Sequence, residues 1–397
     1  MKTLISKVQI SFSWWKKTDK PGRIDLLLMI ILLMVTTLFF LYGDVLATIE
    51  HSFNFLDSVF SGKFLDFYQV AIDHSSFGHP AVYEFPIYIV FAIWNLPIYL
   101  INKAMPFDYL NSFPCLLWSK LMIVFFVLLA VKVLIKIGEE LNISKEHCKW
   151  VAFFFLTAST VIIPAFMLVQ YDIISIVFML LGIYCYMKNN LKGFILWFLL
   201  ANTFKLFAIF IFIPLILLKE KRLIRICLYT LAGLSGIFLC KILYHSNAAY
   251  LASTKKFSST MLDRLQTTTT SLQWQYDGFV LPLFLVLIIG ICIFCYWKKC
   301  ENSELQNRFA IYIPLVVFLG FVALVPFNPY WMILVAPYMV LMPFITPKHL
   351  KLNILLETLT GAVLVWLSVM INYPVFGRNI FDRMLLPKII SSTSLPR

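Results

Sequence analysis

Four polar residues lie at the ends of long apolar runs, and their side chains are of types that can transfer protons or stabilise charge. Asp44 follows the first such run, Gln170 and Asp172 end another in the segment MLVQYD, and Lys205 interrupts a third. An ionisable residue in the hydrocarbon of a membrane costs about 2.5–3.5 kcal/mol, so each one needs a compensating role. A carboxylate can take a proton from a hydroxyl, and lysine or amide groups can stabilise developing negative charge. The sequence therefore predicts an acid–base site if these residues meet.

Each of these residues also has a purely structural interpretation. Asp44 could be a solvated residue at a helix end, and Gln170 and Asp172 could cap the helix that follows them. Lys205 could extend its ammonium group to the membrane surface. Glu357, near the start of the last apolar run, is predicted to be structural.

The composition requires a membrane environment for most of the chain. Hydrophobic residues make up 61% of the 397 residues, charged residues make up 13%, and the mean hydropathy is +0.85. A soluble domain is roughly half apolar and about a quarter charged, so the chain has too little polar surface to be one. The net charge of +13 is expected to reside in cytoplasmic loops, because no basic stripe with base-stacking aromatic residues indicates a nucleic-acid partner.

The hydropathy pattern predicts an all-α polytopic membrane protein, with residues 1–397 forming a single transmembrane domain. Residues 1–23 carry six basic residues and are expected to be cytoplasmic, and Ile24–Tyr42 is expected to be a retained anchor. About eleven spans are predicted, within a range of ten to thirteen. The further apolar runs lie near 115–137, 150–169, 173–187, 193–203, 206–218, 223–243, 279–297, 309–326, 330–345 and 352–371.

The loops between these runs predict on which side the polar residues lie. Residues 44–113 form an acidic first outer loop, whose apolar stretch 86–101 is expected to be an interfacial helix, with a true span as the alternative. Residues 244–278 form a second outer loop, and 372–397 form the C-terminal tail. Lysine and arginine in the intervening loops then place Asp44, Gln170, Asp172 and Lys205 together on the outer side. The short runs 193–203 and 206–218 meet beside Lys205. We expect them to be two half-length helices that line a cavity or groove.

Metal binding has little support in the sequence. His74 and His79 are five residues apart, which is not a ligand spacing on one helix face. No cofactor is predicted, and a divalent metal ion is left open without a motif that supports it.

The order of several short motifs resembles the GT-C superfamily of membrane glycosyltransferases, over about residues 24–220. An acidic residue soon after the first span is matched by Asp44 in YGDV, and a small-residue stretch with aromatics is matched by SVFSGKFLDFY from Ser58. The segment HPAVYEFPIY from His79 is similar to a Tyr-Pro-Pro-x-Tyr pattern. The family's Gly-Gln-x-Asp motif is matched by VQYD, with Val169 in place of glycine, and the later Lys–apolar–Pro segment by FKLFAIFIFIP from Phe204. The groups most similar are bacterial enzymes that use polyprenyl-phosphate mannose and GPI-mannosyltransferase-like proteins.

The resemblance implies a specific activity. A sugar would pass from a polyprenyl-phosphate carrier to a hydroxyl of a glycan or lipid-linked acceptor, at the outer face of a bacterial cytoplasmic membrane and with inversion. Asp44 would be the catalytic base. The remaining expected binding residues contact sugar or phosphate: Tyr83, Glu84, Gln170, Asp172, Lys205 and Arg378. Secondary candidates are the cations Lys255, Lys256 and Arg264 and the aromatic residues Trp274, Tyr276, Tyr330 and Trp331.

Two other classes of function remain open on the sequence alone. A transporter or flippase of lipid-linked saccharides would need polar residues at mid-membrane and two related halves. A polysaccharide polymerase or ligase would need arginine and histidine pairs in a large late loop, where this chain offers only Arg264 and His245.

Overall fold

The computed structural model describes residues 20–41, 43–75, 80–266, 275–276, 279–280, 282–326 and 328–370. The chain is helical there, apart from the antiparallel pairing of β1 (Gln275–Tyr276) with β2 (Phe279–Val280). The main helices are α1 (Arg23–Phe39), α2 (Gly43–Phe60), α3 (Phe67–Asp73), α4 (Pro86–Ala104), α5 (Phe113–Glu140), α6 (Lys145–Thr157), α7 (Asp172–Met187), α8 (Leu191–Phe204), α9 (Ile209–Lys219), α10 (Leu223–Leu243), α11 (Ala248–Gln266), α12 (Leu283–Trp297), α13 (Ser303–Leu324) and α14 (Leu350–Met370).

Four of these helices are long and apolar enough to cross a membrane, which makes the chain a helical membrane protein by length and composition. They are α4, α5, α10 and α13, and a fifth candidate span joins α6 to Ser159–Met167 across a bend of 54°. The helices α7, α8, α9 and α12 are apolar but shorter. The segment 86–101, expected at the interface, is part of α4 and so also has the length of a span, which was its alternative interpretation.

Two predicted straight spans are wrong in shape. The run 150–169 breaks at Ala158, whose backbone is extended, and then continues as the turn Ser159–Val161 and the π-helix Ile162–Met167. Pro164 explains the π-helix, because proline lacks an amide proton and clashes with the carbonyl one turn earlier. The run 330–345 is a series of short turns, each of which begins at or next to a proline: Pro329–Leu334, Ala336–Met339 and Met342–Ile345.

The first predicted outer loop is largely helical. It contains α2, a 3-10 turn at Phe64–Asp66, α3 and α4, of which only the last was expected. The helices α2 and α4 are joined by Tyr99, whose hydroxyl donates to Asp57 at 2.7 Å. Helix α4 meets α5 where the Trp94 and Trp118 indole N–H groups each donate to the other residue's carbonyl, at 2.7 and 2.9 Å.

Helix α7 is mostly buried and packs against α5 and α8. Gly182 of α7 allows the close approach of α8, because a Cβ atom at this position would lie 2.6 Å from the ring of Phe198. Helix α8 ends at Phe204, and the backbone of Lys205 is extended before a 3-10 turn leads into α9. The predicted break between two short helices at Lys205 is therefore confirmed.

Candidate active site

The Asp44 carboxylate, at the start of α2, is held by the side chain of Gln170. Nε2 of Gln170 donates to Oδ2 of Asp44 at 2.6 Å and lies 3.2 Å from the carbonyl oxygen of Leu168. Gln170 is buried, whereas Asp44 is partly exposed. An amide that donates to one carboxylate oxygen fixes the orientation of the group.

A local distortion of the chain brings Gln170 to this position. The amide of Gln170 donates to the carbonyl of Pro164 at 2.9 Å, which closes the end of the π-helix. Val169, just before it, has a positive φ of 56°. A β-branched residue in this conformation is strained, and such strain is concentrated at functional sites. Glycine is the residue that adopts this conformation without strain.

The second pair in the site joins Asp172 to Lys205. Nζ of Lys205 lies 2.7 Å from Oδ1 of Asp172, as an ion pair. The side chain of Lys205 is 10% exposed and that of Asp172 is 1% exposed. Lys205 therefore does not extend to a surface as the snorkelling interpretation required. Asp172 is the first residue of α7, where the helix dipole also favours a negative charge.

Aromatic rings complete the surroundings of Lys205. Its ammonium group lies 3.9 Å from the ring centroid of Tyr83 and 4.7 Å from that of Tyr171. Both distances are within the range of cation–π attraction, which favours the charged form of the lysine. Phe257 of α11 packs against Tyr83, with ring centroids 5.1 Å apart. The ammonium group is thus held by one carboxylate and two tyrosine rings.

The segment that carries Tyr83 and Glu84 is fixed by three tyrosine hydroxyls. Tyr68 donates to the Tyr83 carbonyl at 2.7 Å, and the Tyr83 amide donates to the Tyr88 hydroxyl at 3.1 Å. Tyr250 of α11 lies 2.9 and 3.1 Å from the two carboxylate oxygens of Glu84. Burial raises the pKa of Glu84, and the hydrogen bond from Tyr250 opposes that rise. Glu84 therefore links the segment to α11.

The predicted site residues divide into three groups. The structure brings Asp44, Tyr83, Gln170, Asp172 and Lys205 into one cluster of contacts, with Glu84 next in the chain to Tyr83. Among the secondary cations, Lys255 and Lys256 are exposed on α11, whereas the Arg264 guanidinium lies 5.5 Å from the Trp331 ring centroid. Tyr330 accepts a hydrogen bond from Asn328 at 2.7 Å. Arg378, Trp274, His79, the side chain of Tyr276 and the tail 372–397 lie outside the residues whose placement is described.

Metal ligands do not cluster in the described part of the chain. No group of three or more His, Cys, Asp or Glu side chains there is arranged to hold an ion. The chemistry available to the cluster is proton transfer by Asp44 and charge stabilisation by Lys205.

Sequence reasoning missed Lys120, a fully buried lysine in α5. Its ammonium group donates to the carbonyls of Thr36 and Phe40 at 2.9 and 2.6 Å, at the C-terminal end of α1. Carbonyls at a helix end lack partners within the helix, and a cation there also complements the helix dipole. Because Asp44 follows four residues after Phe40, Lys120 anchors the connection that carries the candidate base. A lysine within an apolar run was the available signal.

No protein-family model matches the chain, and no curated protein or solved structure matches it at a significant level.

Proposed function

We propose that the protein is a membrane glycosyltransferase of the GT-C type. It would move a sugar from a polyprenyl-phosphate carrier to a hydroxyl of a glycan or lipid-linked acceptor, outside the cytoplasmic membrane of a bacterium. The full topology in this proposal has about eleven spans, because the shorter apolar helices α7, α8, α9 and α12 would cross the membrane together with the longer ones.

One observation carries the proposal. The three-residue turn 170–172 holds a carboxylate on one side and an ammonium group on the other, through Gln170–Asp44 at 2.6 Å and Asp172–Lys205 at 2.7 Å. Gln170 and Asp172 are buried, and their partners Asp44 and Lys205 are more exposed than they are. A base and a cation are thus both oriented by buried partners, which is the arrangement that preorganised catalysis requires.

The proposed chemical step assigns one role to Asp44 and one to Lys205. The acceptor hydroxyl attacks the anomeric carbon, and Asp44 takes the hydroxyl proton as the new carbon–oxygen bond forms. The bond from the anomeric carbon to the phosphate oxygen breaks, and its electron pair remains on the phosphate. Lys205 offsets the charge that accumulates there, and attack opposite the leaving group inverts the anomeric configuration. Asp172 and Gln170 act by positioning these two residues.

Asp44→Asn tests the proposal with little disturbance of the fold, because the asparagine oxygen can still accept from Gln170. The measurement is the composition of surface glycans and lipid-linked sugars in cells that lack the native gene and carry either variant or wild type. We expect transfer to fall about 10²- to 10⁴-fold, the usual contribution of a general base. The donor-linked sugar should accumulate.

Asp66→Asn is the matched control, since Asp66 is an exposed carboxylate in the same segment of the chain. It should leave transfer unchanged. If Asp44→Asn preserves glycan addition at equal protein level, the assignment of Asp44 as the base is wrong. Preserved flux of an intact lipid-linked saccharide would favour the transporter class instead.

A further inference from the structure

A second feature, separate from the candidate active site, is a cavity of about 810 Å³ beside α14. It lies between α14, the end of α6 and the turns at Met339–Pro343. Its walls are mainly apolar, with Phe154, Met339, Ile354 and Trp366 among them. The volume is within the range of about 300–1,000 Å³ that ligand sites occupy.

Glu357 is the one ionisable residue among the described residues that line this cavity. Oε1 lies 3.5 Å from the Thr160 hydroxyl, a long contact. Oε2 is buried and has no hydrogen-bond partner within the described ranges. A buried carboxyl oxygen without a partner is costly, so a group that donates a hydrogen bond to it would be stabilising. The χ3 torsion of glutamate is broad, so either oxygen can turn toward the cavity.

The position of Glu357 along α14 indicates what kind of donor can reach it. The helix begins at Leu350, next to the exposed Lys348 and Lys351, residues of the type that marks the polar boundary of a membrane. Glu357 lies seven residues further, or about 10 Å along the axis. In the topology proposed above, α14 crosses the membrane. A charged phospholipid headgroup at that depth would have to leave water, whereas a neutral hydroxyl would not carry that cost.

The cavity reaches the surface of the protein along α14. Val365 and Trp366 line it and are also exposed, and further exposed apolar side chains follow the same helix. At Gly361 the helix touches the rest of the protein, since a Cβ atom there would lie 2.3 Å from the Ser159 hydroxyl. The cleft is therefore bordered by the close contact of α14 at Gly361 and by the exposed side chains of Val365 and Trp366.

We propose that this cleft binds a neutral long-chain alcohol of the membrane, with its hydrocarbon along the apolar walls and its hydroxyl donating to the Glu357 carboxyl group. The proposal rests on the proposed crossing of the membrane by α14 and not on the transferase activity. It gives Glu357 a binding role in addition to the structural role expected from the sequence. Recognition would combine burial of the alcohol's hydrocarbon, which any lipid could provide, with one hydrogen bond to Glu357, which only a lipid with a donor group could make.

The test uses the full-length protein in lipid nanodiscs and a hexadecanol probe that carries a photoreactive diazirine. Cross-linked peptides are identified by mass spectrometry, with hexadecanol or its methyl ether as competitor. We expect labelling in residues 353–366 and 154–159. Hexadecanol should compete about 2- to 12-fold better than the ether, which corresponds to the loss of one buried hydrogen bond.

Variants at the same position distinguish the hydroxyl contact from general lipid adhesion. Glu357→Leu should abolish the preference for alcohol over ether, Glu357→Gln should retain part of it, and the exposed Lys351→Gln should change nothing. Equal competition by alcohol and ether in the wild type would overturn the proposal, and that comparison does not depend on whether any variant folds. Labelling spread evenly over the lipid-facing helices would also overturn it.

Discussion

The cluster of residues around the turn 170–172 and the cleft at Glu357 both contain ionisable groups among apolar residues, but these groups have different hydrogen-bond and ion-pair partners. In the cluster, Asp172 faces Lys205 at 2.7 Å and Asp44 faces an amide at 2.6 Å. In the cleft, a single carboxyl group has one long contact at 3.5 Å and borders a large cavity. In the cluster both carboxylates have close partners within the fold, whereas in the cleft one oxygen of the Glu357 carboxyl group has none among the described residues.

The two regions should respond differently when a carboxylate is removed. Removing one member of a buried ion pair leaves the other uncompensated, and this is strongly destabilising. Replacing a buried polar group that lacks a partner with an apolar one of similar size is nearly neutral or stabilising. Stability measurements therefore test the comparison without any assay of activity.

Asp172→Leu should have the largest effect on stability. The variant leaves the Lys205 ammonium group buried without its carboxylate, and the free energy of unfolding should fall by about 3–5 kcal/mol. Unfolding by sodium dodecyl sulfate in mixed micelles measures the change. The double variant Asp172→Leu/Lys205→Met should recover most of the loss. A double variant as unstable as the single one would mean that packing, and not charge, dominates at Asp172.

Lys120→Met should have an intermediate effect. The methionine fills a similar volume but leaves the Thr36 and Phe40 carbonyls without their donor, and the expected loss is about 1–3 kcal/mol in the same unfolding assay. Lys132→Met, an exposed position of the same helix, should change little. Sugar transfer per folded molecule should also fall if Lys120 positions the Asp44 connection, whereas undiminished transfer would limit Lys120 to a role in stability.

Glu357→Leu should have the smallest effect. The free energy of unfolding should stay within about 1 kcal/mol of the wild-type value, and any change should be an increase in stability. The same unfolding titration measures it. A loss larger than about 2 kcal/mol would contradict the comparison, because it would show that the carboxyl group already has a strong partner within the protein.

Local properties of the sequence predicted much of the helical framework. Long apolar runs give the bounds of α5 and α10 to within three residues, although α13 begins six residues before its predicted run. The break at Lys205 follows from two runs too short to be one span. The apolar runs did not predict the π-helix at Pro164 or the short turns around Pro337, because proline alters the backbone there without changing the hydropathy of the run. Hydropathy reports how strongly a segment prefers an apolar environment, and it carries no information about the backbone dihedral angles within that segment.

The chain by itself determined that the protein belongs in a membrane, because a composition with 61% hydrophobic and 13% charged residues cannot cover a soluble core. It also determined which polar residues needed an explanation. Only the tertiary structure decided their partners: Gln170 for Asp44, Tyr250 for Glu84, and two backbone carbonyls for Lys120. These contacts join residues 80 or more positions apart, and such pairings depend on how helices pack and on side-chain directions that no local pattern encodes.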